Sequence, residues 1–410
     1  MHILSQYSFF YVTKERIPVK LTMECIDTEE LNKKNIIDQK LIQSASTIHQ
    51  NELDSENNII GMESDEKKKE LSNNTKAEIK KLLEKIKYEN EHPNEEIKKE
   101  IQQEKLEQPK IKKQNEKKLI FNPFVKSWKE IEKNIKEKSH FKNFNSLSVE
   151  SFIIKVNLDL RQEVMTMQLI KKYDEIFKSE NLPLKLHPYE IIITSNSSGL
   201  IEFIPDTISF DALKKKLLEN NITFIDFFKN HFGDDFEENL KNFVESLAGY
   251  SLVCYLLAIK NRHNGHILLD KNGCIIHISF GFILGISPGG NLNFENAPFK
   301  LTRDYIDLMG GIDSSIFTYF KTLFIKGLFA ARKNVDDIVN LIEAMGCVPM
   351  PCFNGSNLKE IINAFKERCF VKYSEVEIIP LVKNLFDKAV NSWRTTQYDY
   401  FQKLTNNIQP

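Results

Sequence analysis

The stretch CYLLAIKNRHNGHILLDKNGCIIHISFGF, residues 254–282, gathers the side chains of this chain best suited to chemistry. Two apolar runs, HILLD and CIIHI, are joined by KNG, and Asn-Gly between such runs is a strong hairpin signal. A turn centred near Asn272 sets His266 opposite Ser279 at the open end of the hairpin. NRHNG enters that end from an apolar segment and SFGF leaves it, so Asn261, Arg262, His263, His266 and Ser279 converge where backbone regularity stops. His263 could pass a proton. An imidazole and a hydroxyl, as at His266 and Ser279, are metal donors that suit softer ions better than hard ones. A surface hairpin with solvated polar ends has the same composition, so the pattern alone leaves both readings open.

The elements that would hold this hairpin are legible in the surrounding pattern. SLAGYSLVCYLLAI, 246–259, is too short to span a bilayer and reads as a buried core helix. Upstream, 127–139 reads as a helix, SVESFIIKV (148–156) as a strand and 161–180 as an amphipathic helix. YEIIITS and GLIEFIP read as two strands around a Ser/Asn turn. Residues 9–26 read as an extended segment or strand pair, and helices dominate after Pro205. The outline is α+β: a small mixed sheet with a helix, then a larger helical body, a two-lobed arrangement that encloses a cleft. Residues 27–118 are rich in Lys, Glu, Asn, Gln and Ile with almost no aromatics, a composition that buries too little apolar surface to order itself. The expected organisation is a first lobe begun by 1–26, interrupted by the charged insert 27–118, resumed over 119–205, and followed by a second lobe over 206–410.

Composition removes several function classes. The 410 residues carry 56 Lys and Arg against 57 Asp and Glu, which gives no global reason to expect nucleic acid as a partner. Cys25, Cys254, Cys274, Cys347, Cys352 and Cys369 form no C-x-x-C pair, which argues against a zinc site or disulfide framework and for a reducing, intracellular home. The opening MHILSQYSFFYVTKER lacks the basic and apolar regions of a secretory signal, and no transmembrane helix is expected.

The order N-R-H-N-G-H, hairpin, H-I-S-F-G-F, then FKLTRDYIDLMGG at 299–311 resembles the catalytic and activation loops of the phosphatidylinositol 3- and 4-kinases, the type III beta 4-kinases most of all. The resemblance extends through TKERIPVKLTMEC (13–25), LAGYSLVCYLLAIK (247–260), FKTLFIKGLFAARK (320–333), PCFNGS (351–356) and YDYFQKLTNNI (398–408). Several blocks in the right order are far more specific than one short motif. The resemblance implies a two-lobed, protein-kinase-like lipid kinase fold, ATP as cofactor with Mg²⁺ or Mn²⁺ if active, and phosphatidylinositol in a membrane surface as substrate. It also implies a cytoplasmic protein peripheral on intracellular, Golgi-like membranes. The charged insert is a candidate adaptor-binding segment.

Carried over residue by residue, the resemblance makes Lys155 the lysine that reaches the nucleotide phosphates and Glu163 the acid that holds it. The family's Gly-Asp-Asp after that lysine appears as Asn157, Leu158 and Asp159. It implies that adenine bonds the backbone of Glu202 and Ile204, and that the phosphate loop lies in EKSHFKNFNS around Ser139, here without glycine. In the catalytic motif D-R-H-N-x-N, Asn261 replaces the Asp and His266 the final Asn, while Arg262, His263 and Asn264 remain; Ser279 replaces the metal-binding Asp of D-F-G. Magnesium wants oxygen donors and usually a carboxylate, so metal binding at His266 and Ser279 is disfavoured. The expected function is therefore that of a catalytically impaired lipid kinase, a pseudokinase; the alternative is an active 1-phosphatidylinositol 4-kinase with weak or metal-shifted activity. The activation loop, 282–299, holds no Lys or Arg and fits a headgroup without added phosphates, with Pro288, Gly289 and Gly290 as its flexible turn. Trp393, Tyr398, Tyr400 and Phe401 lie on a C-terminal helix that could meet a membrane interface or pack on the protein.

Overall fold

The computed structural model describes residues 2–3, 9–10, 19–27, 30, 84, 122–124, 127–289, 297–355, 357–390 and 392–410. Nearly all of the charged insert, and with it the disorder expected there, lies outside the described residues. The chain divides into two compact units.

In the first unit, strands β1 (His2–Ile3), β2 (Phe9–Phe10), β3 (Val19–Cys25), β4 (Ser148–Val156), β5 (Ile191–Ser195) and β6 (Ser198–Glu202) form one sheet, beside helix α1 (Trp128–Lys138). The order is β1-β3-β4-β6-β5 with β2 also on β3, and every described pairing is antiparallel where a mixed sheet was expected. Consecutive strands of the β5–β6 hairpin can pair only in this sense across a short turn. Ser127 starts α1 by accepting the Glu130 N–H. Inside the sheet the hydroxyls of Thr22 and Ser151 meet at 2.9 Å, and Lys20 lies 4.0 Å from the ring centroid of Phe203.

The second unit carries α2 (Arg161–Ser179), β7 (Thr207–Ser209), α3 (Phe210–Asn220), α4 (Phe224–Phe232), α5 (Phe236–Leu256), β8 (Ile267–Asp270), β9 (Ile275–His277), α6 (Arg303–Leu308), α7 (Ser315–Lys333), α8 (Val335–Met345), α9 (Leu358–Arg368), α10 (Glu375–Val390) and α11 (Trp393–Asn406). Residues 160–190, expected with the smaller lobe, cluster with this unit. Gln162 at the start of α2 explains part of this. It is buried, its amide N–H groups donate to the carbonyls of Phe280 and Gly281, and its Oε1 accepts from Cys352 N–H.

The core helix α5 is buried on all sides along its second half, as its apolar sequence requires. Two phenylalanine clusters clamp it. Phe224, Phe228, Phe243 and Tyr305 pack edge to face or tilted at one end, and Phe299, Phe320, Phe324 and Phe386 do so at the other. Gly327 on α7 permits the close approach of its neighbours: a Cβ there would stand 2.6 Å from Leu184 Cδ1 and 2.7 Å from Leu252 Cδ2. Among the described residues no helix is long and apolar enough to cross a membrane.

The hairpin forms as expected, with one correction to its register. Gly273 sits at φ +81°, and Asp270 Oδ1 accepts from the N–H groups of Asn272 and Cys274, which closes the turn. Ile267 faces His277 and Leu269 faces Ile275. His266 therefore lies opposite Ile278, whose N–H donates to His266 O at 3.0 Å, and Ser279 falls one residue beyond the expected partner. A one-residue shift reverses which face a side chain takes.

Candidate functional site

In the second unit the chain leaves α5 through Ala258 at φ +49°, then pairs back on itself: Lys260 N–H donates to Phe282 O and Leu284 N–H to Leu257 O. This ladder holds the loop 261–266 beside 278–281. Asn261 (φ +64°) and Ser279 (φ +62°) both adopt the left-handed conformation. Asn tolerates that region well; Ser has no such advantage, so Ser279 stores a strain of about 1 kcal/mol.

Arg262 is buried and staples the two segments. Its Nε donates to Lys260 O, Nη1 donates to Ile278 O at 3.0 Å, Nη2 donates to Ser279 O, and its guanidinium lies 5.0 Å from the centroid of Phe280. Its charge is spent on carbonyl groups, which makes it a positioning residue.

His263 is buried, and its Nδ1 accepts from Gly265 N–H at 3.1 Å. With Nδ1 an acceptor, the neutral ring carries its proton on Nε2. Burial, then the nearby charges of Arg262 and Lys300, push its pKa down to about 3. At neutral pH His263 is thus a neutral N–H donor with its acceptor nitrogen occupied, a poor arrangement for a general base. Its ring lies 3.8 Å from that of His266, centroid to centroid, and His266 Nδ1 meets Asn261 O at 2.9 Å. Asn261 Oδ1 accepts from the Tyr398 hydroxyl at 2.5 Å.

The donors at these positions are an imidazole with one nitrogen engaged, a hydroxyl, and an amide oxygen already bonded. None is a carboxylate, and among the described residues no three His, Cys, Asp or Glu side chains form a metal-holding group. Such a set does not fit Mg²⁺, which prefers charged oxygen donors.

Several residues that hold the loop were invisible in the sequence. Tyr189, buried in the segment that follows α2, donates to Glu163 Oε1 at 2.8 Å and accepts from Ser279 N–H at 3.3 Å, so Glu163 reaches the Ser279 backbone through one phenol. His277 is buried against Tyr250, 4.6 Å between ring centroids and nearly parallel, with Cys254 Sγ 3.5 Å from its Nδ1. Asn264 donates to Gln409 O at 2.8 Å. Gln409 N–H in turn donates to Asp211 Oδ1. Lys300, just after the activation loop, is buried against both carboxylate oxygens of Asp399 at 2.8 Å.

These contacts decide how the C-terminal helix sits. Tyr398 is buried and accepts from Gln402 Nε2 while donating to Asn261. Tyr400 is exposed and Phe401 half-buried, so α11 packs on this unit with its Tyr398, Asp399 and Gln402 side. In the activation loop Pro288 and Gly289 are described, Gly289 at φ +72°, while Gly290 lies outside the described residues.

In the first unit, Lys155 lies on β4 opposite Gly199 and is half-buried. Phe203 N–H donates to Ser151 O, turned toward β4, so strand alternation turns the backbone groups of Glu202 and Ile204 to the other edge. Ser139 closes the C-terminus of α1, and its Oγ accepts from Phe141 N–H. The amides of Asn145 and Ser146 in the same loop donate to the Glu30 carboxylate. Amides committed in this way are not offered to a phosphate.

The comparisons with known proteins agree with this architecture. Residues 149–355 match the family described as phosphatidylinositol 3- and 4-kinase. A phosphatidylinositol 4-kinase of Dictyostelium discoideum is 47% identical over 299 residues, 72% of this chain and 25% of that protein. Phosphatidylinositol 4-kinase beta 2 of Arabidopsis thaliana is 42% identical over 69% of this chain and 26% of its own length. Phosphatidylinositol 4-kinase beta of Xenopus tropicalis is 42% identical over 68% and 35%. This chain thus spans between a quarter and about a third of the length of these relatives. The match covers the Lys155 strand, the loop 261–266 and the hairpin together, and on that ground the chain belongs to the phosphatidylinositol 3- and 4-kinase family.

Proposed function

We propose that this chain is a phosphatidylinositol 4-kinase-like domain that keeps nucleotide and lipid-surface binding while its phosphoryl transfer is impaired. The observation that carries the reading is the state of the loop mouth: Asn261 Oδ1 is bonded to Tyr398, His266 Nδ1 meets a backbone carbonyl, and Ser279 supplies only a hydroxyl. Metal stabilisation of a transferring phosphoryl group contributes several kcal/mol, so its loss lowers the rate by roughly a thousandfold or more. Nucleotide binding rests on Lys155 with Glu163 and on the backbone of Glu202 and Ile204, as the family resemblance implies; Ser139 supports it less, because the Phe141, Asn145 and Ser146 amides of its loop are engaged. ATP is the nucleotide, phosphatidylinositol in a membrane surface the lipid, and the cytoplasmic face of a Golgi-like membrane the place. The lobes follow the boundaries 1–26 with 119–205, and 206–410, and the insert 27–118 serves as a tether or adaptor site.

A second reading has its own support. Arg262, His263 and Asn264 are retained, and their hydrogen bonds with Ile278 O, Gly265 N–H and Gln409 O fix the loop in place, which favours an active 1-phosphatidylinositol 4-kinase that uses a softer ion such as Mn²⁺. The test is transfer of labelled phosphate from ATP to phosphatidylinositol vesicles, with Mg²⁺ and separately with Mn²⁺. The unaltered protein is compared with the triple variant Asn261→Asp, His266→Asn, Ser279→Asp. Silence in the first and activity in the second is the expected result; activity in the unaltered protein refutes impairment. Binding of a fluorescent ATP analogue reads the nucleotide site separately.

A further inference from the structure

One buried cation in the first unit has no role in the site described above. Lys20 stands on β3 and is only 7% exposed, a depth that lysine rarely reaches. Its Nζ lies 4.0 Å from the ring centroid of Phe203 and 5.4 Å from that of Trp128. Burial lowers its pKa, the mark of an ammonium held away from water. An apolar side chain of the same length would fill this place without that cost, but it would not be drawn electrostatically to the two ring faces. A cation over an aromatic ring is held most strongly where water is excluded.

The strand register fixes the face on which this happens. Lys20 lies opposite Ile153 on β4, and Lys155 is two residues farther along the same strand. Cross-strand partners share a face, as do residues two apart, so Lys20 and Lys155 stand on one face of the sheet on neighbouring strands. Phe203 follows β6 directly, between Glu202 and Ile204, the two residues whose backbone the functional reading gives to adenine. The ladder of β6 with β4 ends at Glu202. Past it, Phe203 N–H donates to Ser151 O at 2.9 Å, and the Phe203 ring meets Lys20. Trp128 opens α1, and Ser139 at the other end of that helix begins the loop assigned to phosphate. Lys20 thus joins the segment given to adenine and the helix that leads to the phosphate loop.

We propose that Lys20 is a positioning residue for the nucleotide. Held over Phe203, it fixes the chain just past β6, where the adenine-bonding backbone lies, and through Trp128 it ties that chain to α1. It acts through the two rings and needs its charge to do so. The inference rests on the nucleotide-binding part of the functional reading and is independent of whether phosphoryl transfer survives.

The test measures binding of a fluorescent ATP analogue to the whole chain by anisotropy, with thermal melting followed in the same samples. Lys20→Met keeps the length of the side chain without its charge, Lys20→Arg keeps a cation, and Phe203→Leu removes the ring. The expected result is roughly tenfold weaker binding in Lys20→Met. Its melting temperature should stay or rise, because a buried charge has been removed. Lys20→Arg should bind within about threefold of the unaltered protein, since a guanidinium also sits on aromatic faces. The double variant Lys20→Met with Phe203→Leu should bind no more weakly than Phe203→Leu alone, because both changes remove one contact. Undiminished binding in Lys20→Met overturns the proposal, as do losses that add fully in the double variant. Weaker binding that comes with a lowered melting temperature in both Lys20→Met and Lys20→Arg marks packing and overturns it as well. No binding by the unaltered protein removes the functional reading and this role of Lys20 with it, whereas undiminished binding in Lys20→Met removes the role of Lys20 alone.

Discussion

The buried histidines His263 and His277 make the stability of this protein depend on acid in a calculable way. His263 is neutral in the folded protein, with its pKa pushed down to about 3 by burial and by Arg262 and Lys300. In the unfolded chain it titrates at its ordinary value near 6.5. Below that value the unfolded chain takes up a proton that the folded chain refuses. The stabilisation is therefore complete above pH 6.5 and is lost progressively as pH falls toward 3. Between pH 7 and pH 5.5 the loss from His263 alone is about 1.2 kcal/mol, from the proton uptake of the unfolded state. His277, buried against Tyr250 and Cys254 and facing the charges of Arg262 and Lys300, is shifted in the same direction and adds to it. Urea unfolding followed by intrinsic fluorescence at the two pH values measures the total. His263→Asn, whose amide oxygen can still accept from Gly265 N–H, should shrink the difference between the two pH values by about 1.2 kcal/mol, the share assigned to His263. An unchanged difference in the variant, or a His263 ring that titrates near 6.5 by proton NMR in the folded protein, would refute the reasoning.

Three further outcomes follow from named contacts. Tyr398→Phe removes the hydroxyl shared by Asn261 and Gln402 and should cost about 1–3 kcal/mol in urea unfolding, since both partners are left short of a bond; no change would show that water replaces it. Lys300→Met leaves the Asp399 carboxylate buried without its cation and should cost about 3–5 kcal/mol, while the double change Lys300→Met with Asp399→Leu should recover most of that loss. Equal destabilisation by the single and double variants would contradict this. Gly273→Ala places a Cβ 2.6 Å from Asn239 O at a residue with φ +81°, and should lower stability by about 1–3 kcal/mol while Asn272→Ala costs less; the reverse order would argue against the turn geometry.

Local pattern was enough for much of the architecture. The strand 148–156, the helix at 161–180 and the hairpin around Asn272 each follow from apolar periodicity or turn chemistry within a few residues, and the structure has them at Ser148–Val156, Arg161–Ser179 and Ile267–His277. The motif N-R-H-N-G-H likewise marked where to look. The register of the hairpin was one residue off, because an Asn-Gly pair marks that a turn forms but not whether its loop holds an even or an odd number of residues; the ladder centres on Asn272 itself, with Leu269 facing Ile275.

The organisation of the site was decided only by tertiary packing. Tyr398 lies 137 residues from Asn261 and Tyr189 lies 90 from Ser279, and Asn264 bonds a carbonyl 145 residues away. No periodicity links such pairs. Each forms because a polar group buried by the apolar core must find a partner from whichever element arrives beside it. The same packing turned His263 from a candidate base into a neutral donor and laid Tyr398 against the loop instead of leaving it exposed. The sequence by itself determined which chemical groups the chain owns and which segments present them. Which of those groups are engaged, and by which partners, depended on contacts between residues far apart in the chain.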